Sequence, residues 1–282
     1  MRFFRKNTAR IYYYLLSASL FIVCVYLPVH ARAHEVWITP QSYYSKTPTQ
    51  VQADIRNRQN FVGDALRYRP NKIEALGFLT ETDFLPITGR LGDQPTIQTD
   101  APIAGQNILI YQSQPEKLFY KKFEKFADFV AEKADKDLLE IHKQRGLPEA
   151  GFTETYTRFA KTILVRDIPK KGIADRYSGM EVEFVLEKTW LHKEARDSLP
   201  ICLFYQGRPL AGAKVTVFEK SPDSKISRKT YLSDKGGYVY VTPVSGYEYL
   251  IDHVTIRPID PDKNPYGAVW ESLWASLTFK GL

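Results

Sequence analysis

The chain has 282 residues, 44% hydrophobic and 13% aromatic, with 39 basic against 32 acidic residues and two cysteines. Five basic residues and no acidic one fall in positions 1–33, so the rest is nearly neutral and offers no electrostatic footprint for nucleic acid. Beyond that segment Cys202 is the lone cysteine, which excludes an intramolecular disulfide framework; its apolar neighbours Ile201 and Leu203 predict a buried strand thiol.

Residues 1–33 read as a secretory signal peptide. Arg2, Arg5, Lys6 and Arg10 open it, an apolar stretch runs from Leu15 to Val29, and Ala31-Arg32-Ala33 is an A-x-A processing site. The apolar run is short for a transmembrane helix and no second one follows. The expectation is a periplasmic protein that does not span the membrane after cleavage. Cleavage after Ala33 makes His34 the first residue. Its α-amine and imidazole can then close a chelate on a borderline divalent metal such as Ni, Co, Cu or Zn.

Short strands follow. Val36 to Ile38 is apolar and stops at Pro40. Thr49 to Ile55 alternates, with Val51, Ala53 and Ile55 on one face. Ile73 to Thr80, Asp83 to Leu91 and Asn107 to Gln112 continue the pattern, which argues for an antiparallel sandwich. From about 115 to 145 the period changes. Leu118, Phe119, Phe123, Phe126, Val130, Leu138 and Ile141 recur mostly at three and four, predicting one or two amphipathic helices stopped by Gly146 and Pro148. Their aromatic stripe reads as core packing. Strand character returns at Glu154 to Val165 and Glu181 to Leu186. A polar connector spans Lys188 to Ser198.

A compact module begins at Ile201. Strands at Ile201 to Tyr205, Ala213 to Phe218, Lys229 to Leu232, Tyr238 to Val241 and Tyr247 to Ile256 alternate with turns rich in Gly, Pro, Asp and Ser. A last strand runs from about Trp270 to Phe279. Gly207-Arg208-Pro209-Leu210-Ala211-Gly212-Ala213-Lys214-Val215, with Ser233-Asp234-Lys235-Gly236-Gly237-Tyr238, resembles exported sandwich modules of the transthyretin and carboxypeptidase-regulatory type. That pattern speaks to fold and not to function.

A more specific resemblance rests on three further segments: Ala33-His34-Glu35-Val36-Trp37-Ile38-Thr39-Pro40, Glu154-Thr155-Tyr156-Thr157-Arg158-Phe159-Ala160-Lys161, and Trp270-Glu271-Ser272-Leu273-Trp274-Ala275-Ser276-Leu277-Thr278-Phe279. In this order they resemble the exported family called domain of unknown function 4198, which is grouped with periplasmic components of cobalt and nickel uptake systems. The resemblance implies a periplasmic protein of sandwich domains that binds a transition metal ion or helps deliver it to an inner-membrane ABC-type transporter. His34 is the one ligand it carries over by position. Family members often have a Gly-His pair in the first sheet; here Val62-Gly63-Asp64 stands there, leaving Asp64 or no ligand.

Four of the five histidines lie beyond residue 33. His142, beside Lys143, and His192, in the connector, read as solvent-facing. His253 lies inside an apolar strand, where it is either a hydrogen-bonded core residue or the best third ligand beside His34. Glu271, between Trp270 and Trp274, would orient a histidine or make a buried salt bridge, for example with Arg158. The candidate metal set is therefore His34, His253 and Glu271. No nucleophile elbow, zinc-protease helix or phosphate loop is present, so no enzyme activity is expected.

The expected fold is mainly β, with two antiparallel β-sandwich domains of Ig or transthyretin-like type: residues 34–196 with a helical insertion at about 115–145, and residues 197–282. The expected function is a nickel- or cobalt-type binding protein serving a metal uptake system. The alternative is a cell-envelope structural or interaction module that binds no metal.

Overall fold

A computed structural model describes residues 34–45, 50–134, 137–166, 174–187 and 198–281. The expected signal segment, the connector and His192 lie outside the described residues. The fold is mainly β, as expected. Among the described residues three sheets and two α-helices build it, and the middle sheet organises the rest.

The first sheet contains β1 (Glu35–Pro40), β3 (Gln50–Gln59), β4 (Val62–Ala65) and β7 (Ile97–Asp100), with β1 at its edge. The central sheet holds ten strands. From the first part of the chain come β2 (Tyr44–Ser45), β5 (Ile73–Leu79), β6 (Phe84–Pro86), β8 (Gly105–Ser113), β9 (Glu116–Tyr120) and β10 (Phe152–Arg166). From the last part come β14 (Lys214–Lys220), β15 (Ile226–Leu232), β17 (Glu248–Pro258) and β18 (Trp270–Lys280). The third sheet contains β11 (Val182–Leu186), β12 (Leu199–Tyr205), β13 (Arg208–Pro209) and β16 (Tyr238–Val241).

Most pairings are antiparallel. The join between the two parts of the chain is parallel: β10 runs beside β18, with Glu154 opposite Trp270 and Thr162 opposite Thr278. One sheet thus passes through both of the expected segments.

Alternation explains the layers. In β10, Phe159, Ile163 and Val165 belong to a core shared with Val182, Phe184, Leu199 and Ile201 of the third sheet. Ala160 and Leu164, on the opposite face, pack with Val36, Ile38, Val51 and Ile55 of the first sheet. In β18, Leu273 and Leu277 face the third sheet while Trp270 and Trp274 face the helices. The middle strands β8, β10, β17 and β18 are therefore largely buried on both faces, whereas β6 and β15 at the ends of the sheet are mostly exposed.

The helical segment starts later than its period suggests. Residues 116–120 form β9, and α1 (Phe123–Lys133) and α2 (Asp137–Gln144) follow. Phe126, Phe129, Val130 and Lys133 make one buried stripe on α1. Gly146 ends α2 in the left-handed region (φ 64°), its N–H bonding Lys143 O at 2.8 Å. The Asp234 turn also forms as read. Its carboxylate accepts from Gly236 N and Tyr238 N, at 2.8 and 2.9 Å. At Gly237 (φ 81°) a Cβ would lie 2.9 Å from Pro209, so only glycine fits.

Candidate functional site

The start of β1 is held unusually well. As an edge strand it would leave carbonyls open, but β18 covers them with hydroxyls. Ser276 donates to Val36 O and Thr278 donates to Ile38 O, both at 2.6 Å. His34 stands exposed immediately before this anchored strand.

The next residue enters a buried ionic cluster. Lys133 Nζ, on the apolar stripe of α1, lies 2.6 Å from Glu35 Oε1 and 2.8 Å from Asp252 Oδ2. All three side chains are buried. The second oxygen of Glu35 accepts from Asn60 N at 3.0 Å, in the two-residue turn joining β3 to β4. Burial pushes the Glu35 carboxyl up to about 7, against the opposing pull of Lys133. Burial pulls the Lys133 ammonium down, but Asp252 and Glu35 outweigh it and hold it above the ordinary lysine value. The cluster ties β1, α1 and β17 together.

Strand alternation sends Glu35 and Asp252 to Lys133, so their neighbours His34 and His253 point away from it. His253 is buried among its own hydrogen bonds. Nδ1 lies 2.8 Å from Lys214 O and Nε2 lies 2.9 Å from Thr255 Oγ1. A carbonyl can only accept, so Nδ1 carries the proton and Nε2 receives the threonine hydroxyl. Both nitrogens are engaged, and burial lowers the imidazole pKa. His253 is thus the hydrogen-bonded core residue of the two readings.

Glu271 makes the salt bridge, with a different partner from the one expected. It lies directly across the β17–β18 ladder from Arg257, whose Nε donates to Glu271 Oε2 at 2.7 Å. The same guanidinium reaches Glu181 and Tyr205. Asp64, the alternative ligand expected in the first sheet, is exposed and pairs with Arg58 at 3.2 Å.

His142 corrects the solvent-facing expectation. Its Nδ1 accepts from Trp270 Nε1 and its Nε2 donates to Pro148 O, both at 3.0 Å, in a cage of Phe123, Phe126, Phe152 and Trp270. Burial lowers its pKa. Among the described residues no group of three or more His, Cys, Asp and Glu side chains is arranged to hold a metal ion. Of the expected set, His34 is the residue that stands exposed, whereas His253 has both ring nitrogens engaged and Glu271 is held through Oε2.

Sequence reasoning missed the buried charges. Lys133 falls seven residues after Phe126 on the apolar stripe, which was a readable signal. Lys161 lies 3.0 Å from Asp175 Oδ1 and 2.8 Å from Glu183 Oε2, all fully buried. Glu154 makes no ion pair among the described residues, although the charge of Arg158 acts on it. It accepts from Tyr120 Oη at 2.6 Å and from Ser272 Oγ, and burial raises its carboxyl to about 7. Cys202 is buried as expected, and burial pushes its thiol up to about 11. No helix among the described residues is long and apolar enough to cross a membrane.

A family model described as a domain of unknown function (DUF4198) matches residues 31–256. The match takes in His34, Lys133 and His253 and stops before β18 and Glu271. No curated protein matches the chain.

Proposed function

The chain belongs to the DUF4198 family, and from that premise we propose that it is a periplasmic protein that binds a transition metal ion of the nickel or cobalt type, through His34, for a metal uptake system. The observation that carries the reading is the placement of His34: exposed, and joined directly to a strand whose position Lys133, Ser276 and Thr278 fix. With cleavage after Ala33, the α-amine and imidazole of this one residue form the chelate, and a membrane transporter receives the cargo. Both ring nitrogens of His253 are engaged in hydrogen bonds and Arg257 holds Glu271 Oε2, so the reading rests on His34. No catalytic role enters this reading.

That same engagement favours the second reading, an envelope interaction module in which the charges only hold sheets together. Calorimetric titration separates the two. A chain beginning at His34 is titrated with Ni, Co, Cu and Zn beside a twin carrying one extra N-terminal alanine. The proposal expects micromolar or tighter binding in the first sample alone, worth about 8 kcal/mol or more. Equal weak binding in both supports the module.

A further inference from the structure

One short stretch concentrates exposed cations. Residues 117–125 hold Lys117, Lys121, Lys122 and Lys125 against Glu124, a net of three positive charges. Residues 34–282 together carry only about two, since 39 less 5 basic residues stand against 32 acidic ones. All four lysines are exposed, and none makes an ion pair among the described residues. The adjoining Glu116 is held by Lys72 at 2.9 Å. The helix α1 also starts here. Lys122 is its N-cap and supplies no side-chain acceptor, so the partial positive charge of the helix start adds to that of the lysines.

The same stretch carries apolar side chains outside the core. Among the described strands β9 pairs with β10 alone, which turns its other edge outward. Leu118 stands opposite Glu154 and Phe119 opposite Thr153, so they point to opposite faces of that edge, 46% and 56% exposed. Phe119 extends towards Gly151, where a Cβ would lie 4.0 Å from its Cζ. Lys117 shares the face of Phe119 and lies 5.6 Å from the centre of the Tyr266 ring, itself exposed.

A lysine is a flexible point charge whose stem can lie along apolar surface while the ammonium stays in water. Four of them around a projecting apolar edge suit phosphate headgroups, which need no fixed geometry. A second copy of the chain suits the edge poorly. Antiparallel pairing of two β9 edges about Phe119 sets Lys117 of one against Lys121 of the other. We propose that the outer edge of β9, with the start of α1, docks on an anionic phospholipid bilayer. Leu118, Phe119 and Tyr266 enter the headgroup boundary, and Lys117, Lys121, Lys122 and Lys125 hold phosphates around them. The contact is peripheral and reversible, because the apolar part is small. It does not depend on the metal role of His34.

The test is co-sedimentation of a chain beginning at His34 with two kinds of vesicle, phosphatidylcholine alone and phosphatidylcholine with an equal part of phosphatidylglycerol. The expected result is binding to the anionic vesicles only, weakening as salt rises. Lys121→Gln with Lys122→Gln should weaken it about 25-fold, at about fivefold for each lysine. Phe119→Ser should weaken it about tenfold and leave the salt dependence unchanged. Lys225→Gln with Lys235→Gln, in the turns on either side of β15, removes the same charge and should leave binding as it was. All five positions are exposed, and circular dichroism checks that each variant keeps its fold. Equal binding to both vesicles, or equal loss from the two lysine pairs, overturns the proposal. So does the lack of vesicle binding beside a dimer that Phe119→Ser dissolves, which makes the edge a contact between copies. Loss of metal binding in the alanine-extended chain leaves vesicle binding intact.

Discussion

Two buried lysines sit on opposite faces of the central sheet, each between two carboxylates, and they do different work. Lys161, on β10, meets Asp175 and Glu183. Those acids are also backbone acceptors. Glu183 Oε1 receives Ser178 N, Gly179 N and Met180 N, and Asp175 receives Arg176 N and Leu186 N. The carboxylates there replace a ladder for a stretch of chain that has none. Lys133 meets Glu35 and Asp252, and among the described residues Asn60 N is the one backbone donor to that cluster. It joins side chains from three elements and thereby seats the strand that follows His34. Similar ion triads can thus satisfy a loop in one place and position a strand in another.

The comparison breaks most visibly under triple apolar replacement. Lys161→Met with Asp175→Leu and Glu183→Leu removes the acceptors of five backbone N–H groups, and those of the buried Met180 and Leu186 cost about 1–3 kcal/mol each. The loss is a large fraction of ordinary domain stability, and circular dichroism should show a thermal midpoint far below that of the native chain. The corresponding triple at Glu35, Lys133 and Asp252 orphans one, so it should melt within a few degrees of the native chain. Equal outcomes for the two triples would erase the distinction.

Lys133→Met alone ranks next. It leaves two carboxylates buried without their cation and should cost about 3–5 kcal/mol, read as a lowered urea midpoint. The triple at that cluster should recover most of this loss.

The smallest effect is a slope. Glu154 and Glu35 both have carboxyl pKa values raised to about 7 from an ordinary 4.5. A raised acid favours the folded state fully below the unfolded value, and that contribution is lost as pH climbs through the folded value. Stability should therefore fall between about pH 4.5 and 7, by on the order of 3 kcal/mol for Glu154 alone. Glu154→Gln should flatten the urea midpoint across this window without abolishing the slope, because Glu35 still titrates. An unchanged slope would show that Glu154 is ionised without penalty.

Much of the fold was legible because short-range physics wrote it. Alternation at Val51, Ala53 and Ile55, the Asp234 turn with Gly237, and the stop at Gly146 all appear where the pattern places them. The parallel join of β10 and β18 was not legible, since no local period encodes a partner more than a hundred residues away. At the site, the interest of His34 rests on the expected processing signal, whereas the partners of His253 and Glu271 are set by neighbours across strands. Glu271 pairs with Arg257 because β17 and β18 align them, which Arg158 in β10 does not. His142 was misread because Lys143 and a charged helix suggested solvent, although its spacing of four from Leu138 already placed it on the apolar side.

The account centres on His34 as the metal donor, and the most direct measurement is the NMR spectrum of the histidine side chains in a chain beginning at His34, recorded during substoichiometric addition of a paramagnetic ion such as Cu(II) or Ni(II). The account predicts that the His34 imidazole signals broaden first, while His142 and His253, enclosed in their hydrogen bonds, stay sharp. Broadening that begins at His253 or His192, or at no histidine, would contradict it.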